Sequence, residues 1–587
     1  MDRNFHDSSR FGARLLAWPG RVACLALAGL GATALGALSL GGCSLVLSFE
    51  ECTTDADCDF GKGGRCEAGK CVASDEVGDG DGDETVGDGD GDGDGDGDGD
   101  GDGDGEGDGD GDVEPTQCTT HTECVARNNA NWLCSPGGEC MNGLTPECQI
   151  VKWPNNTPQD KVVFVGSIMP TSPPFDSLVV PIQNATQLAI EDFNNETTLP
   201  GGEKLAWIGC DSKGSAELAV TAAEHLVEAG VPAIVGPVFS ESVIAVAQQV
   251  AIPNGVFLIT PTGSNKAITD LDDDDLVWRP IASDVYQANA LADRMNEVAS
   301  QTSTVILFKD DKYGEDLTID TLAALDPEVA AVTKTYDYHV YPDMQQLIDE
   351  IAGVLSEVVA NDQPQTVVIA GTSEATVIIL TYLQVASQIN PMLIPQKFIV
   401  THGAVPSMPV TINNAPNDPT KQLLYAIQEG MAPIIFDENN FNAFNIRYKI
   451  KFNDQDAITT SSLSYDSLLV IAFAMSAIPD GEPITGANIA AQMGKLIDPD
   501  GTFINFSGGT AFISQAVNAL SAGNTVDLQG VSGGLEFDLE TGDVRTNLLG
   551  WEPVAIGGDL SKPTIEPKRV YMLNPEPAFD GVWMDLP

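Results

Sequence analysis

Short apolar runs alternate with amphipathic stretches along most of the chain after residue 160. The runs Ala233-Ile234-Val235 and Val256-Phe257-Leu258-Ile259 are typical of strands buried on both faces of a parallel sheet. Between them, apolar residues at helical spacing predict a helix over about residues 242–250. Strands that alternate with helices of roughly 10–15 residues indicate an α/β fold with parallel sheets.

The alternation continues to about residue 400, which is too long for one open sheet of ordinary size. A chain of 587 residues also exceeds what a single hydrophobic core supports. We therefore predict two α/β lobes, preceded by segments of a different kind.

Two loops with many hydroxyl side chains follow the two apolar runs. In an open α/β sheet, ligands bind beyond the carboxyl ends of the strands. Hydroxyl groups and free backbone N–H groups at that position predict a site for a small polar ligand. Alternatively, the serines cap the following helix, and the second loop satisfies its own turn. The candidate residues are Ser240, Ser242, Thr262 and Ser264.

The N-terminus has the pattern of a targeting segment. Arginines precede an apolar stretch at residues 22–40, and Leu40-Gly41-Gly42-Cys43 resembles the lipobox of bacterial lipoproteins. This resemblance implies that residues 1–42 are a signal peptide and that Cys43 carries acyl chains, which anchor a protein to a membrane. The alternative is an ordinary membrane helix, for which the apolar stretch is short.

Two sets of four cysteines with similar spacing form an internal repeat in residues 43–75 and 116–150. Short cysteine-rich segments of exported chains are usually disulfide modules, although zinc binding is an alternative. Each set allows three pairings, and a further bond between Cys148 and Cys210 would make the count even. The two sets are Cys52, Cys58, Cys66 and Cys71, and Cys118, Cys124, Cys134 and Cys140.

Alternating glycine and acidic residues fill residues 76–115, between the two cysteine modules. Such a segment cannot bury apolar surface, so we predict a disordered, extended linker. Its acidic residues do not fall in the register of a calcium-binding EF-hand loop, so weak, diffuse calcium association is the most that we expect. We predict no cofactor and no defined metal site.

The formal net charge of −58 excludes two classes of partner. Nucleic acids and anionic membrane surfaces both repel a strongly acidic protein. The membrane contact that we expect is therefore the lipid anchor alone.

From about residue 161, several short segments occur in the order found in one protein family. The chain resembles a type I periplasmic binding protein of the leucine/isoleucine/valine-binding class. The resemblance implies two Rossmann-like lobes joined by three crossovers, with residues 160–284 and 405–560 in one lobe and residues 285–404 and 561–587 in the other. The matching segments include Ala189-Ile190-Glu191-Asp192-Phe193-Asn194, Gly236-Pro237, Thr260-Pro261-Thr262-Gly263-Ser264, Asp310-Asp311-Lys312-Tyr313-Gly314, Tyr465-Asp466 and Gly542-Asp543.

The same resemblance implies roles for individual residues. The hydroxyl loops would hold a ligand carboxylate, Asp284 would face an amine, and Tyr313 would close over the ligand from the second lobe. Thr372 and His402 occupy positions where amino-acid binders carry an aromatic residue and a carboxylate. Alternatively, Asp284 caps a helix, Tyr313 is packing, and His402 is a solvent-exposed loop residue.

One motif, Gly530-Val531-Ser532-Gly533-Gly534, fits the G-x-S-x-G pattern of a nucleophile elbow. The histidines all precede it, and the expected strand–turn–helix context is missing, so we predict that the protein is not an enzyme. We expect a lipid-anchored solute-binding protein of the cell envelope, periplasmic or at the outer membrane, that passes a small polar ligand to an ABC permease. The alternative is a surface ligand sensor or a protein-interaction lipoprotein.

Overall fold

The computed structural model describes residues 64–67, 70–73, 117–298, 303–341, 343–433, 438–575 and 578–586. The predicted signal peptide, Cys43 and the Gly-Asp linker lie outside the described residues. The chain divides into two compact units, Met1–Asp108 and Gly109–Pro587. In the first unit, the structure describes one antiparallel hairpin, formed by β1 (Gly64–Glu67) and β2 (Lys70–Ala73).

The second cysteine module consists of one helix and a short hairpin. Its disulfides join Cys118 to Cys134 and Cys124 to Cys140, which selects one of the three pairings. Because all four sulfurs are in disulfides, the module offers no thiolate for zinc. Its elements are α1 (His121–Arg127), β3 (Trp132–Cys134) and β4 (Cys140–Asn142).

This module packs onto the first lobe and shares its core. The His121 ring makes edge contacts with Trp153 and Phe164, at centroid distances of 5.7 and 5.5 Å. Leu133 is completely buried in a core cluster of the lobe, and His225 of the lobe forms a hydrogen bond with the carbonyl of Gly143 (3.1 Å). The module is therefore part of the binding unit and not a separate domain.

The first lobe is built on a six-stranded sheet in the order β10-β9-β8-β6-β7-β5. All neighbours are parallel except β5, which pairs with β7 in the antiparallel direction. The predicted bond between Cys148 and Cys210 joins these two strands. The strands are β5 (Cys148–Lys152), β6 (Val162–Met169), β7 (Lys204–Asp211), β8 (Ala233–Val235), β9 (Phe257–Ile259) and β10 (Val277–Trp278).

Helices cover both faces of this sheet. The helix predicted at residues 242–250 is formed by α4 (Ser240–Val246), which continues through a π-helical turn at Ala247–Ala251 into α5 (Ile252–Asn254). The other elements before the first crossover are α2 (Asp176–Glu196), α3 (Ala216–Glu228) and α6 (Lys266–Thr269).

A second stretch of chain completes the first lobe. Its helix α15 is buried along nearly its whole length and packs against α2. The elements of this stretch are α14 (Glu438–Lys451), α15 (Thr459–Ser476), α16 (Gly486–Ala490), β16 (Thr502–Asn505), α17 (Ala511–Ser521) and β17 (Val526–Gln529).

The second lobe is built on an eight-stranded sheet in the order β12-β11-β13-β14-β15-β18-β19-β20. The first five strands are parallel and the last three are antiparallel. The strands are β11 (Thr304–Lys309), β12 (Thr333–Tyr338), β13 (Thr366–Ala370), β14 (Lys397–Val400), β15 (Gln428–Pro433), β18 (Leu548–Ala555), β19 (Pro563–Leu573) and β20 (Gly581–Asp585).

Seven helices pack on this second sheet. Because two core clusters lie on opposite faces of the sheet, its parallel strands are buried on both sides. The helices are α7 (Asp284–Val298), α8 (Lys312–Ala324), α9 (Pro327–Ala330), α10 (Met344–Glu357), α11 (Ala375–Ile389), α12 (Ser407–Asn413) and α13 (Asp418–Ile427). Among the described residues, no helix is both long and apolar enough to cross a bilayer.

The predicted boundaries of the two lobes are wrong at two places. Residues 405–433 and 548–560 were assigned to the first lobe, but they contain α12, α13, β15 and all of β18, which belong to the second lobe. The strand β15 reads Gln-Glu-Gly-Met-Ala-Pro, which is too polar to predict a buried strand. Its Glu429 is buried because Arg294 and Lys397 pair with it, at 2.6 and 3.0 Å.

The chain passes between the lobes at residues 279–284, after Pro433 and before Leu548. These passages are the three crossovers that the resemblance implied. The fold class is therefore confirmed, and only the residues at which the chain changes lobe differ from the prediction.

Candidate functional site

A cleft of about 260 Å³ lies between the two lobes. It is situated at the carboxyl ends of β8 and β9 in the first lobe and of β11, β13 and β14 in the second. The strand order reverses beside β6 in the first sheet and beside β11 in the second, as at the ligand crevice of open α/β sheets. The predicted ligand-binding residues that line it are Ser240, Ser242, Thr262, Ser264, Tyr313, Thr372 and His402.

The first hydroxyl loop leaves β8 through Gly236, which has a φ of +106°. A Cβ atom at this position would lie 2.3 Å from the carbonyl oxygen of Ile168, at the end of β6. A residue with a side chain would therefore push the loop away from the sheet. Glycine lets the loop run tightly past β6 into the cleft.

The hydroxyl groups of the first lobe are held by protein atoms. Thr262 Oγ1 donates to the carbonyl of Val238 (2.8 Å), and Ser264 Oγ donates to Asp284 Oδ2 (3.0 Å). Since a hydroxyl has one proton and two lone pairs, these two groups are arranged to accept hydrogen bonds from a ligand. The Thr262 hydroxyl is thus satisfied by a neighbouring loop of the protein, and the residue also lines the cleft.

Asp284 does not reach the cleft surface, so the expectation that it faces a ligand amine is corrected. It begins α7, and its backbone N–H donates to the carbonyl of Ser264 (2.7 Å), which places its carboxylate behind the Ser264 side chain. Gln287 Nε2 donates to its other oxygen (2.9 Å). Burial raises the pKa of Asp284 to about 7.

His402 lies at the second-lobe side of the cleft with its side chain only 11% exposed, in contrast to the solvent-exposed loop position that was one alternative. Its Nε2 lies 3.4 Å from Ser264 Oγ, and its ring packs edge-on against Tyr313 at 5.5 Å between centroids. Burial lowers the pKa of His402 to about 4. The imidazole is therefore neutral at pH 7 and can both donate and accept a hydrogen bond.

The other two predicted residues of the second lobe are also fixed by protein contacts. Tyr313 is buried, and its hydroxyl donates to Thr401 Oγ1 (3.0 Å). The Thr372 N–H donates to Glu374 Oε1 (2.7 Å), and its hydroxyl bonds the same carboxylate. Tyr338 donates a further bond to Glu374 (2.9 Å), so this buried acid is satisfied by its neighbours.

Several lining residues were missed by the sequence analysis. They supply most of the apolar surface of the cleft, and they come from loops and helix starts whose position depends on the packing of the lobes. One signal was present, because the loop at residues 171–175 follows β6 and ends in an aromatic residue. The apolar lining includes Phe175, Leu178, Ile182, Val238, Phe239, Ile281, Val340 and Pro406.

Four titratable residues of the lining form two pairs. Lys309 Nζ lies 2.6 Å from Asp311 Oδ2 and 5.0 Å from the ring centre of Phe239 in the opposite lobe. Burial lowers the pKa of Lys309, but the charges of Asp311, Glu374 and Asp310, together with the bond to Asp311, outweigh burial and raise the pKa overall. His339 pairs with Asp310 at 2.9 Å, so the acids that begin this loop already have partners.

The G-x-S-x-G segment has a structural role. Ser532 Oγ donates to Asp466 Oδ2 (2.5 Å), and the N–H groups of Val531 and Ser532 donate to the same carboxylate (3.0 and 2.7 Å). A nucleophilic serine instead needs a hydrogen bond to a base that can take its proton. Asp466, carried by α15, therefore fixes this loop within the first lobe.

Two α/β lobes with a ligand-sized cleft between them and three connecting passages define a bilobed, ligand-binding class of protein. Residues 181–552 match the family described as the receptor family ligand binding region, and the chain belongs to this family. The match includes most of both lobes and all three crossovers.

Curated relatives are similar over shorter stretches. The chain is 24% identical over 200 residues to Leu/Ile/Val-binding protein homolog 3 of Brucella melitensis, which is 34% of this chain and 53% of that protein. It is 31% identical over 107 residues to Leu/Ile/Val-binding protein BraC3 of Rhizobium johnstonii, which is 18% of this chain and 29% of that protein. The chain thus spans about half, or less, of these curated relatives.

Solved structures show the same fold over nearly their whole length. The substrate-binding protein LivJ of Streptococcus pneumoniae, in complex with isoleucine, has a TM-score of 0.51 and 17% identity, with 69% of this chain and 99% of that chain covered. The leucine-binding protein LivK of Thermotoga maritima has a TM-score of 0.51 and 18% identity, with 70% and 98% covered. At these identities the likeness establishes the fold, which is that of a type I periplasmic binding protein.

Proposed function

We propose that this protein captures a small polar ligand, an amino acid or an amide-like molecule, between its two lobes and passes it to an ABC permease. The main support is the cleft, because side chains of both lobes line it with apolar surface and a few convergent polar groups. The names of the similar proteins, which bind branched-chain amino acids, point to the same class of ligand.

The chemistry of the cleft favours a ligand with N–H donors and an apolar body. Thr262 and Ser264 present acceptor oxygens, and neutral His402 adds a further acceptor or donor. The aromatic and aliphatic lining, including Phe175 and Ile182, would bury the apolar part. A ligand carboxylate would require the hydroxyl groups to turn away from Val238 and Asp284.

The proposed location is the cell envelope, with the protein anchored through acylated Cys43. This part of the proposal rests on the sequence Leu40-Gly41-Gly42-Cys43 and its basic, apolar leader. We also propose weak calcium association with the acidic linker, and this rests on the composition of the linker alone.

A melting-shift screen of the full-length protein against amino acids, amides and short peptides tests the proposed ligand class. A micromolar ligand should raise the melting temperature clearly, by mass action. Changing Ser264→Ala together with Thr262→Val should weaken that ligand by roughly 10- to 100-fold, since two hydrogen bonds of about 1 kcal/mol each are lost. The melting temperature without ligand should fall by about a few degrees, because the carbonyl of Val238 and the buried carboxylate of Asp284 each lose a hydrogen bond.

Ser514→Ala is the matched control, because the Ser514 hydroxyl bonds only a carbonyl of its own helix, α17 (2.9 Å). It should leave both ligand affinity and stability unchanged. An unchanged affinity in the double variant would show that the two hydroxyl groups do not contact the ligand. If no compound raised the melting temperature, the solute-binding proposal would be wrong.

The alternative is a surface sensor or an interaction protein that is not coupled to transport. The segment before the lobes favours it, since the first cysteine module and a long linker exceed what a tether requires. Capture of a protein partner through the cysteine modules, with no small molecule stabilising the lobes, would support this alternative over transport.

A further inference from the structure

A second cavity, of about 450 Å³, lies at the hinge between the lobes. We call it the hinge cavity. Pro280 of the first crossover and residues 544–547 of the third crossover line it, together with residues 532–536 of the first lobe and 572–575 of the second. Pro280 faces this cavity while its neighbour Ile281 faces the ligand cleft. Two of the three connections between the lobes therefore form part of its wall.

The lining of the hinge cavity is polar and carries charges of both signs. Arg545 supplies a guanidinium group and Glu536 a carboxylate, while hydroxyl and amide groups come from Ser532, Asn547 and Asn574. Its volume lies within the range of roughly 300–1,000 Å³ typical of ligand pockets. Opposite charges on one lining select a ligand that itself carries both signs.

Hydrogen bonds hold both walls of the hinge cavity in place. The carboxylate of Asp466 accepts three bonds from the segment that carries Ser532. On the opposite wall, Arg545 Nη2 donates to the carbonyls of Asn574 and Ala578, and its guanidinium lies 5.7 Å from the ring centre of Tyr286. Polar groups fixed in this way bind a ligand without first losing conformational freedom.

A buried ion pair connects this wall to the ligand cleft. Arg279 is completely buried and bonds Asp543, the residue just before the cavity-lining segment at 544–547 (Nε to Oδ1, 2.5 Å; Nη2 to Oδ2, 2.9 Å). Its Nη1 donates to the carbonyl of Asn265 (2.8 Å), next to cleft residue Ser264. Arg279 therefore connects the segment at residues 544–547, through Asp543, to the loop that carries Ser264.

We propose that the hinge cavity is a second ligand-binding site, for a small zwitterion that carries both a carboxylate and an amine. Arg545 is the partner of the carboxylate and Glu536 the partner of the amine. Because the crossovers line the cavity, its occupant sets the angle between the lobes and changes the affinity of the cleft. By thermodynamic linkage, a cleft ligand changes the affinity of the hinge cavity by the same factor.

Gly534 offers a way to fill the cavity without breaking a contact. It is exposed, its φ lies outside the left-handed region, and an added Cβ would meet only Glu536 Oε1, at 3.8 Å. Gly534→Trp should therefore fold and occlude the hinge cavity. Gly353→Trp on α10 is the matched control, because an added Cβ there meets nothing within 4 Å and it lies outside both cavities.

The test separates the two sites by blocking each in turn. Thr372→Trp fills the cleft from the second lobe, and the zwitterionic α-amino acids are the probes, with the matching monocarboxylates and monoamines for comparison. We expect at least one amino acid to raise the melting temperature of the Thr372→Trp protein and to lose this effect when Gly534→Trp is added. Gly353→Trp should not remove the effect.

Calorimetric stoichiometry of that amino acid gives a second measurement that does not depend on the fold of Thr372→Trp. For a ligand of both sites, wild type should bind two equivalents and Gly534→Trp one; for a ligand of the hinge cavity alone, Gly534→Trp should bind none. The proposal is overturned if no amino acid stabilises Thr372→Trp, or if Gly534→Trp leaves the stoichiometry of every bound amino acid unchanged. A different result would contradict the solute-binding function. In that case no tested compound would raise the melting temperature of wild type and lose this effect in Thr372→Trp.

Discussion

Asp284 and His402 lie beside each other at the cleft, 3.8 Å apart between Oδ1 and Nδ1, and burial moves their pKa values in opposite directions. The pKa of Asp284 is raised to about 7, so the folded protein holds a proton there that the unfolded chain releases above pH 4. The pKa of His402 is lowered to about 4, so the unfolded chain holds a proton between pH 4 and 6.5 that the folded protein lacks. The two residues therefore oppose each other in the pH dependence of stability.

The sign of each effect follows from linkage, since stability rises with pH wherever the unfolded state binds more protons. Asp284 contributes a loss of stability as the pH rises from about 4 to 7, and His402 contributes a gain between about 4 and 6.5. The difference in unfolding free energy between Asp284→Asn and wild type should therefore become more favourable to the variant as the pH rises across this range. For His402→Gln the same difference should become less favourable to the variant. Each difference should be on the order of a few kcal/mol.

Urea unfolding of wild type, both single variants and the double variant at pH 4.5 and pH 7.5 measures these differences. The many other acids of the chain titrate equally in all four proteins, so the comparison isolates the two buried groups. Equal pH slopes in wild type and Asp284→Asn would show that this carboxyl group does not hold the proton assigned to it.

At the scale of elements, the disulfide between Cys148 and Cys210 joins the antiparallel edge strand β5 to β7. The next residue, Asp211, accepts hydrogen bonds from the N–H groups of Thr171 (2.9 Å) and Ser172 (3.4 Å). These bonds hold the loop that ends in Phe175, on the cleft wall. The edge of the sheet and the apolar wall of the cleft therefore depend on the same strand end.

Replacing both cysteines by serine should lower the stability of the protein and weaken ligand binding in the cleft. The bond closes a loop with a sequence separation of 62, for which the chain-entropy relation gives about 4 kcal/mol. The loosened end of β7 should also reduce the affinity of the cleft ligand several-fold. Denaturant unfolding and calorimetry measure the two effects separately.

The control for this pair is Cys118→Ser with Cys134→Ser, which opens a loop with a sequence separation of 16 in the second cysteine module. It should cost about 3 kcal/mol of stability but leave the affinity of the cleft unchanged. A loss of affinity that is equal in the two double variants would contradict the specific link from Cys210 through Asp211 to the cleft.

At the scale of the whole molecule, Asn265 is a direct hydrogen-bonded bridge between the lobes. Its Nδ2 donates to the carbonyl of Lys312 (2.7 Å) and to Asp316 Oδ2 (2.9 Å), both on α8 of the second lobe. Its Oδ1 accepts from the N–H of Ala267 and caps α6 (2.7 Å). One side chain thus closes the cleft and starts a helix.

Asn265→Asp keeps the cap of α6 but replaces the bridging donor by a second oxygen, which repels the carbonyl and carboxylate that it faces. We expect the lobes to separate and the affinity of a ligand that contacts both lobes to fall about tenfold or more. Pulsed-EPR distances between spin labels at Ser514 in the first lobe and Ser356 in the second measure the separation.

Asn184→Asp serves as the control, because the amide of Asn184 bonds Tyr448 within the first lobe (3.2 Å). It should leave the distance between the labels unchanged. The same distance distribution in Asn265→Asp and wild type would mean that the bridge does not hold the lobes together.

The sequence by itself determined the α/β fold, the two lobes and much of the first-lobe wall. Strands buried on both faces are apolar along their whole length, as at Ala233–Val235 and Phe257–Ile259, so they can be recognised locally. Ligand loops must follow such strands, which made the hydroxyl residues from Ser240 to Ser264 predictable.

Only the tertiary structure decided which distant groups meet. The strand β15 is too polar to be recognised from its sequence. Its Glu429 can be buried because it pairs with Arg294 and Lys397, which are far away in the chain. Asp284 lies behind Ser264 because α7 begins against the second hydroxyl loop. The pairing of the cysteines and the hinge cavity likewise depend on contacts between segments that are remote in sequence. Local periodicity reports the environment of a residue but does not specify its partner.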